Sequence, residues 1–146
     1  GDRVLAISAA RAFPAGSDQR DGAFAAQAAR RFGGADILVD ASPTSEQIAA
    51  CAAQAFQKPL CIVACRDAVF DPSQQALVNA VCTVNPNTIV VCMGLPYDAN
   101  LFPQAGAILC AWESTPLSTA SAVRVLAGEA DAMGRFSCIA RLGLFE

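Results

Sequence analysis

The sequence predicts an α/β protein: a three-layer, doubly wound, mostly parallel sheet of five to six strands with helices on both faces. Three observations carry that expectation. Five short runs, at 4–8, 36–41, 60–65, 88–93 and 107–112, are apolar without alternation, as strands covered on both faces are. Segments with the 3.6-residue period of a helix lie between them. Helix-start signals stand at the head of several of those segments.

In chain order, the first strand is Val4 to Ser8. The helix after it places Phe24, Ala25, Ala28 and Phe32 on one face, and Gly33-Gly34 stops it. The second strand runs from Asp36 to Ala41. Thr44 and Gln47 then form a capping box behind Pro43, ahead of a stripe of Ile48, Ala49, Ala52, Ala53 and Phe56. The third strand, Leu60 to Cys65, is followed by Asp71 as an N-cap, Pro72 at the first helical position and Gln74 as the third-position partner. That helix buries Leu77, Val78, Val81 and Cys82. Asn85-Pro86-Asn87 is a turn feeding the fourth strand, Thr88 to Met93. A short helix leads to the fifth strand, Ala107 to Trp112. Thr115-Pro116 repeats the capping device, and Ala120, Val123, Leu126 and Ala127 line a stripe that Gly128 ends. A turn at Gly134 and a last strand near Ser137 to Arg141 complete the expected order. Crossovers this short between parallel strands are right-handed, which gives the doubly wound arrangement. No repeat, low-complexity tract or linker interrupts residues 1–146, which read as one domain.

Composition narrows the function classes. The chain of 146 residues is 54% hydrophobic and 16% charged, against about 25% charged in ordinary domains, which excludes disorder. Ten Lys and Arg against thirteen Asp and Glu give a net charge of -3, with no basic run. A nucleic-acid partner is not expected, because neutralising phosphates takes clustered cations. No apolar stretch reaches the roughly 18 residues of a membrane-spanning helix, so no membrane partner is expected either. There is no histidine, so Ser-His-Asp and Cys-His catalysis and histidine-ligated zinc cannot be built from this chain alone. Seven cysteines, at Cys51, Cys61, Cys65, Cys82, Cys92, Cys110 and Cys138, form no CxxC pair and sit mostly in apolar runs. They read as reduced, buried small hydrophobes, which with the absence of a visible signal peptide favours a cytoplasmic setting.

In an open α/β sheet the ligand crevice lies beyond the carboxyl ends of the strands. Ser8, Asp40, Ser42, Arg66, Asp67, Tyr97, Asp98, Trp112, Glu113 and Ser114 fall there. No cofactor is expected among them. A dinucleotide site wants G-x-G-x-x-G after the first strand, where the chain instead runs from Ser8 through Arg11 to Pro14. A P-loop needs a lysine beside Ser or Thr, and the single lysine is Lys58. A receiver domain needs an acidic pair after strand one and a lysine after strand five, and both are missing. Asp40, Asp67, Asp98 and Glu113 are the carboxylates from which an acid/base pair could be drawn, although Asp at a strand end commonly caps the next turn.

From about Gln74 to Phe136 the sequence resembles the C-terminal α/β domain of family 3 glycoside hydrolases. Three blocks carry the resemblance: Asn85-Pro86-Asn87 leading through the fourth strand to Gly94, Pro96, Tyr97 and Asp98; Ala107 through Trp112 to Thr115-Pro116; and Ala122-Val123 through Leu126, Gly128 and Glu129 to Gly134, Arg135 and Phe136. The β-N-acetylhexosaminidase branch is the nearest in character. Where that family has a proline after the third block, this chain has Ser137.

The resemblance implies a retaining hydrolase parent whose nucleophilic aspartate, and whose Asp-His acid/base pair, lie on a preceding (β/α)8 barrel. It assigns no catalytic residue here. The present chain would then be an inactive accessory domain that packs on the barrel and walls the cleft that binds the parent's carbohydrate substrate. Tyr97, Asp98, Trp112 and Glu113 are its cleft candidates. The start of the chain within three residues of its first strand, without Met, fits a domain taken from a longer protein. Phe13, Phe102 and Trp112 are candidates for the barrel-facing patch, through which the isolated domain would self-associate.

Two other readings stand beside this one. A free-standing module for a sugar phosphate would use the Ser42-Pro43-Thr44-Ser45 loop at a helix start. Cysteine redox chemistry would use Cys65 beside Arg66.

Overall fold

The computed structural model describes residues 3–9, 24–111 and 116–131, with the side chains of 116–118 left out. Its centre is a five-stranded sheet, β1 (Val4–Ala9), β2 (Ala35–Val39), β3 (Leu60–Cys65), β4 (Thr88–Cys92) and β5 (Ala107–Cys110), in the order β2-β1-β3-β4-β5. Every neighbouring pair is parallel. The register sets Ile7 beside Ile37 and Val63, and Val63 beside Val90. The expected last strand near Ser137 to Arg141, the Gly134 turn and Cys138 lie outside the described residues.

Among the described residues four α-helices cover the sheet: α1 (Phe24–Phe32), α2 (Ser45–Phe56), α3 (Pro72–Val84) and α4 (Pro116–Leu126). Alternation along each strand sends side chains to both faces. Leu5, Ile7, Cys61, Val63, Val90 and Cys92 pack with α2 and α3, whereas Val4, Ala6, Ile62, Ala64 and Val91 pack with α1 and α4. Burial on two sides is why β1, β3 and β4 read as unbroken apolar runs. The edge strands differ, since Asp36 and Leu38 of β2 and Ala107 of β5 are exposed.

The helix starts form as their residues dictate. Thr44 accepts from the Gln47 backbone N–H, and the Gln47 side chain accepts from the Thr44 N–H, completing the capping box. Asp71 caps α3, accepting from the backbone of Ser73 and Gln74, with Pro72 in the first turn. Pro116 opens α4, and Thr115 lies outside the described residues. Gly33 and Gly128 close α1 and α4 at φ of 69° and 74°. At Gly34 a β-carbon would strike the Val4 carbonyl, so the turn into β2 admits no side chain.

Two expectations need correction. The inward face of α2 is Ile48, Cys51 and Ala55, while Ala49, Ala53 and Phe56 are exposed. Phe56 follows the buried Ala55 and is therefore turned about 100° out of the core. Phe102, expected on an outward-facing patch, has no exposed surface: it packs with Ala99 and Ala105 in the core beneath β4 and β5. Phe13 and Trp112 lie outside the described residues.

Candidate functional site at the carboxyl edge of the sheet

The most elaborate polar structure lies where β3 and β4 end. Past Cys65, the chain turns through Arg66 and Asp67 into a 3-10 turn, Ala68–Phe70, and reaches the cap of α3 at Asp71. Past Cys92, it turns at Gly94 into a second 3-10 segment, Pro96–Leu101. Asp67 is the one described non-glycine residue with positive φ, at 51°. Asp tolerates this left-handed conformation better than most residues.

Carboxylates tie the two turns together reciprocally. Asp67 Oδ1 accepts from the Leu95 N–H at 3.1 Å. In return Asp98 Oδ2 accepts from the Ala68 N–H and Asp98 Oδ1 from the Val69 N–H, both at 2.9 Å. Gly94 is required between them, because a β-carbon there would collide with the Asp67 carboxylate. Gln74 secures the start of the first turn: its amide donates to the Arg66 carbonyl at 3.0 Å and accepts from the Arg66 N–H at 2.9 Å. Asp71, besides capping α3, accepts from the Ser42 hydroxyl at 2.8 Å. That bond fastens the loop after β2 to the same edge.

The titration of these groups follows their surroundings. Burial holds the Asp98 carboxyl above its ordinary value, and the nearby Asp67 charge adds to this, against the opposing pull of its backbone N–H donors. At Asp71 burial is outweighed by the Ser42 hydroxyl, the Gln74 amide and the two backbone donors, and its carboxyl lies below the ordinary value.

Of the four cleft candidates, Tyr97 stands on the surface, 48% exposed, while Asp98 beside it is fully buried. Both Asp98 oxygens accept backbone N–H groups, which joins the two turns. Trp112 and Glu113 lie outside the described residues. Asp67 pairs with Arg66 across 3.5 Å, and Asp40 is exposed on the loop after β2. Ser8 accepts weakly from the Ala25 N–H, tying α1 to β1. The Ser42 and Thr44 hydroxyls of the Ser-Pro-Thr-Ser loop are both engaged in capping contacts. Sequence reasoning passed over Val69 and Phe70, which are 37% and 77% exposed. Their signal was an apolar pair set in a turn between two aspartates.

Three cysteines share one row at this edge: Cys65 pairs with Cys92, and Cys92 with Cys110, across β3, β4 and β5. Cys65 and Cys92 are buried and Cys110 partly so. The Cys110 thiol is pushed up by its contact with Cys92 and by burial. The Cys92 thiol is pulled down by Cys110 but pushed up further by Cys65 and burial. On the same side of the sheet, burial pushes Cys61 and Cys82 up to about 11. Such thiols hold their protons at neutral pH and pack as small hydrophobes. Among the described residues no group of three His, Cys, Asp or Glu side chains is placed to hold a metal ion.

No protein-family model matches the chain, and no curated protein does. Solved structures do share its fold. One is a glycoside hydrolase family 3 β-N-acetylglucosaminidase from Paenibacillus sp. str. FPU-7, matched with a TM-score of 0.77 and 23% identity over 90% of this chain. Another is a fungal multi-domain family 3 β-N-acetylglucosaminidase described as having a glucosamine N-acetyltransferase region, with a TM-score of 0.73 and 21% identity over 92% of this chain. The present chain spans only 26% of the first and 15% of the second.

Proposed function

We propose that this chain is an accessory domain of a retaining glycoside hydrolase of the β-N-acetylhexosaminidase kind, packing on a catalytic barrel carried elsewhere in a longer polypeptide. The observation that carries the reading is the match itself: nine-tenths of this chain superposes on a minor part of a much longer β-N-acetylglucosaminidase. The turn containing Pro96, Tyr97 and Asp98, which resembles the family's, adds to it. The site chemistry agrees with a supporting role. A retaining glycosidase needs two carboxyl groups about 5–5.5 Å apart, one to attack and one to move protons. Here Asp67 and Asp98 are occupied by backbone N–H groups of the opposite turn. The carboxyl edge, with Tyr97 exposed on it, is the part of the domain we assign to the wall of the parent's cleft.

Deleting residues 1–146 from the longer polypeptide tests this reading. Hydrolysis of an aryl N-acetyl-β-glucosaminide by the intact polypeptide, impaired by the deletion, is the expected result. An intact polypeptide that hydrolyses no aryl glycoside would count against it.

A further inference from the structure

We infer that the tip formed by the two 3-10 segments docks through Val69 and Phe70 on an apolar patch of the catalytic domain in the same polypeptide, leaving Tyr97 at its flank to face the cleft. The inference rests on the reading above and goes further by choosing among the faces of the domain.

Five large apolar side chains are exposed among the described residues, and three of them, Val69, Phe70 and Tyr97, sit on this tip. The other two, Leu38 and Phe56, are on β2 and at the end of α2. A Phe that is 77% exposed in a turn is costly to leave in water, so a concentration of such residues marks a contact surface. The tip is also held in shape. Asp98 fixes the backbone of Ala68 and Val69, Asp67 fixes Leu95, and Gln74 grips Arg66. A contact surface fixed in advance loses less conformational freedom on docking. The occupant follows from proportion: the matched structures continue for three-quarters or more of their length outside the region this chain covers. A partner within the same chain needs no separate encounter, since tethering supplies a high effective concentration.

Phe56 provides an internal control. It is 74% exposed, nearly the same as Phe70, but ends α2 just before β3 begins, at the opposite edge of the sheet. Oxidative footprinting of the full-length polypeptide therefore compares two phenylalanines that the domain alone exposes equally. Phe70 should be labelled about tenfold more slowly than Phe56, at all protein concentrations, because the core of an interface excludes water. Equal labelling of the two would overturn the inference. So would protection of Phe70 that disappears on dilution, which would give the surface to a second copy of the chain. The footprint reads no hydrolysis, so a polypeptide that protects Phe70 yet cleaves no glycoside would refute the hydrolase reading and leave the interface standing.

Discussion

Asp98 joins two turns that are 30 residues apart in sequence, and its replacement shows what that junction is worth. Asp98→Ala leaves the buried N–H of Ala68 and the part-buried N–H of Val69 without acceptors, which should cost about 1–3 kcal/mol in chemical denaturation. The pH dependence carries a sign. Because the folded state holds this carboxyl above its ordinary value, protonation favours folding. Its contribution is full below the unfolded value and falls away as pH rises through the folded one. Asp71 behaves oppositely: its folded value is lowered, so its stabilisation is present above the ordinary carboxylate range and lost as pH falls through the folded value. Denaturation of Asp71→Ala should show a loss of about 1–2 kcal/mol near neutrality, the usual value of an N-cap, shrinking toward acid pH. A deficit that does not change with pH would separate the cap from its charge. The cap was legible in Asp71-Pro72 because capping is decided within three residues. The burial of Asp98 was not, because its partners lie across the sheet edge.

At the scale of the element, α2 shows where periodicity fails. Its sequence holds Ala at 49, 50, 52, 53 and 55, so small apolar residues occupy every side and the period picks out no face. Phe56, the largest side chain, draws the expected stripe one residue too far round, whereas packing against α3 and the sheet selects Cys51 and Ala55. Phe102 departs the other way: it follows a 3-10 segment and reads as an outward-facing residue, yet it is wholly buried. The two phenylalanines therefore give opposite expectations. Phe56→Ser should shift stability by no more than about 0.5 kcal/mol. Phe102→Ala should cost about 3–5 kcal/mol, as core aromatics do. A melting series on both variants checks the assignment, and a large loss at Phe56 would place α2 in the wrong rotation. The positions of β1, β3 and β4, by contrast, were legible to within a residue at each end, because these strands are covered on two faces and carry apolar side chains at nearly every position.

For the whole molecule, the doubly wound sheet follows from sequence pattern, but no chemistry follows from the sheet. The chain lacks histidine, and among the described residues Asp67, Asp71 and Asp98 at the sheet edge accept backbone N–H groups. The fold is one found inside much longer β-N-acetylglucosaminidases. We propose that the bond-breaking groups of the parent lie outside residues 1–146. The most direct measurement is hydrolysis of an aryl N-acetyl-β-glucosaminide by the purified chain and by the longer polypeptide at equal molar concentration. Turnover by the longer form, with the chain alone at the level of buffer, is the predicted result. Turnover by the chain alone that is abolished by Asp67→Asn or Asp40→Asn would contradict the claim and place the chemistry at its carboxyl edge.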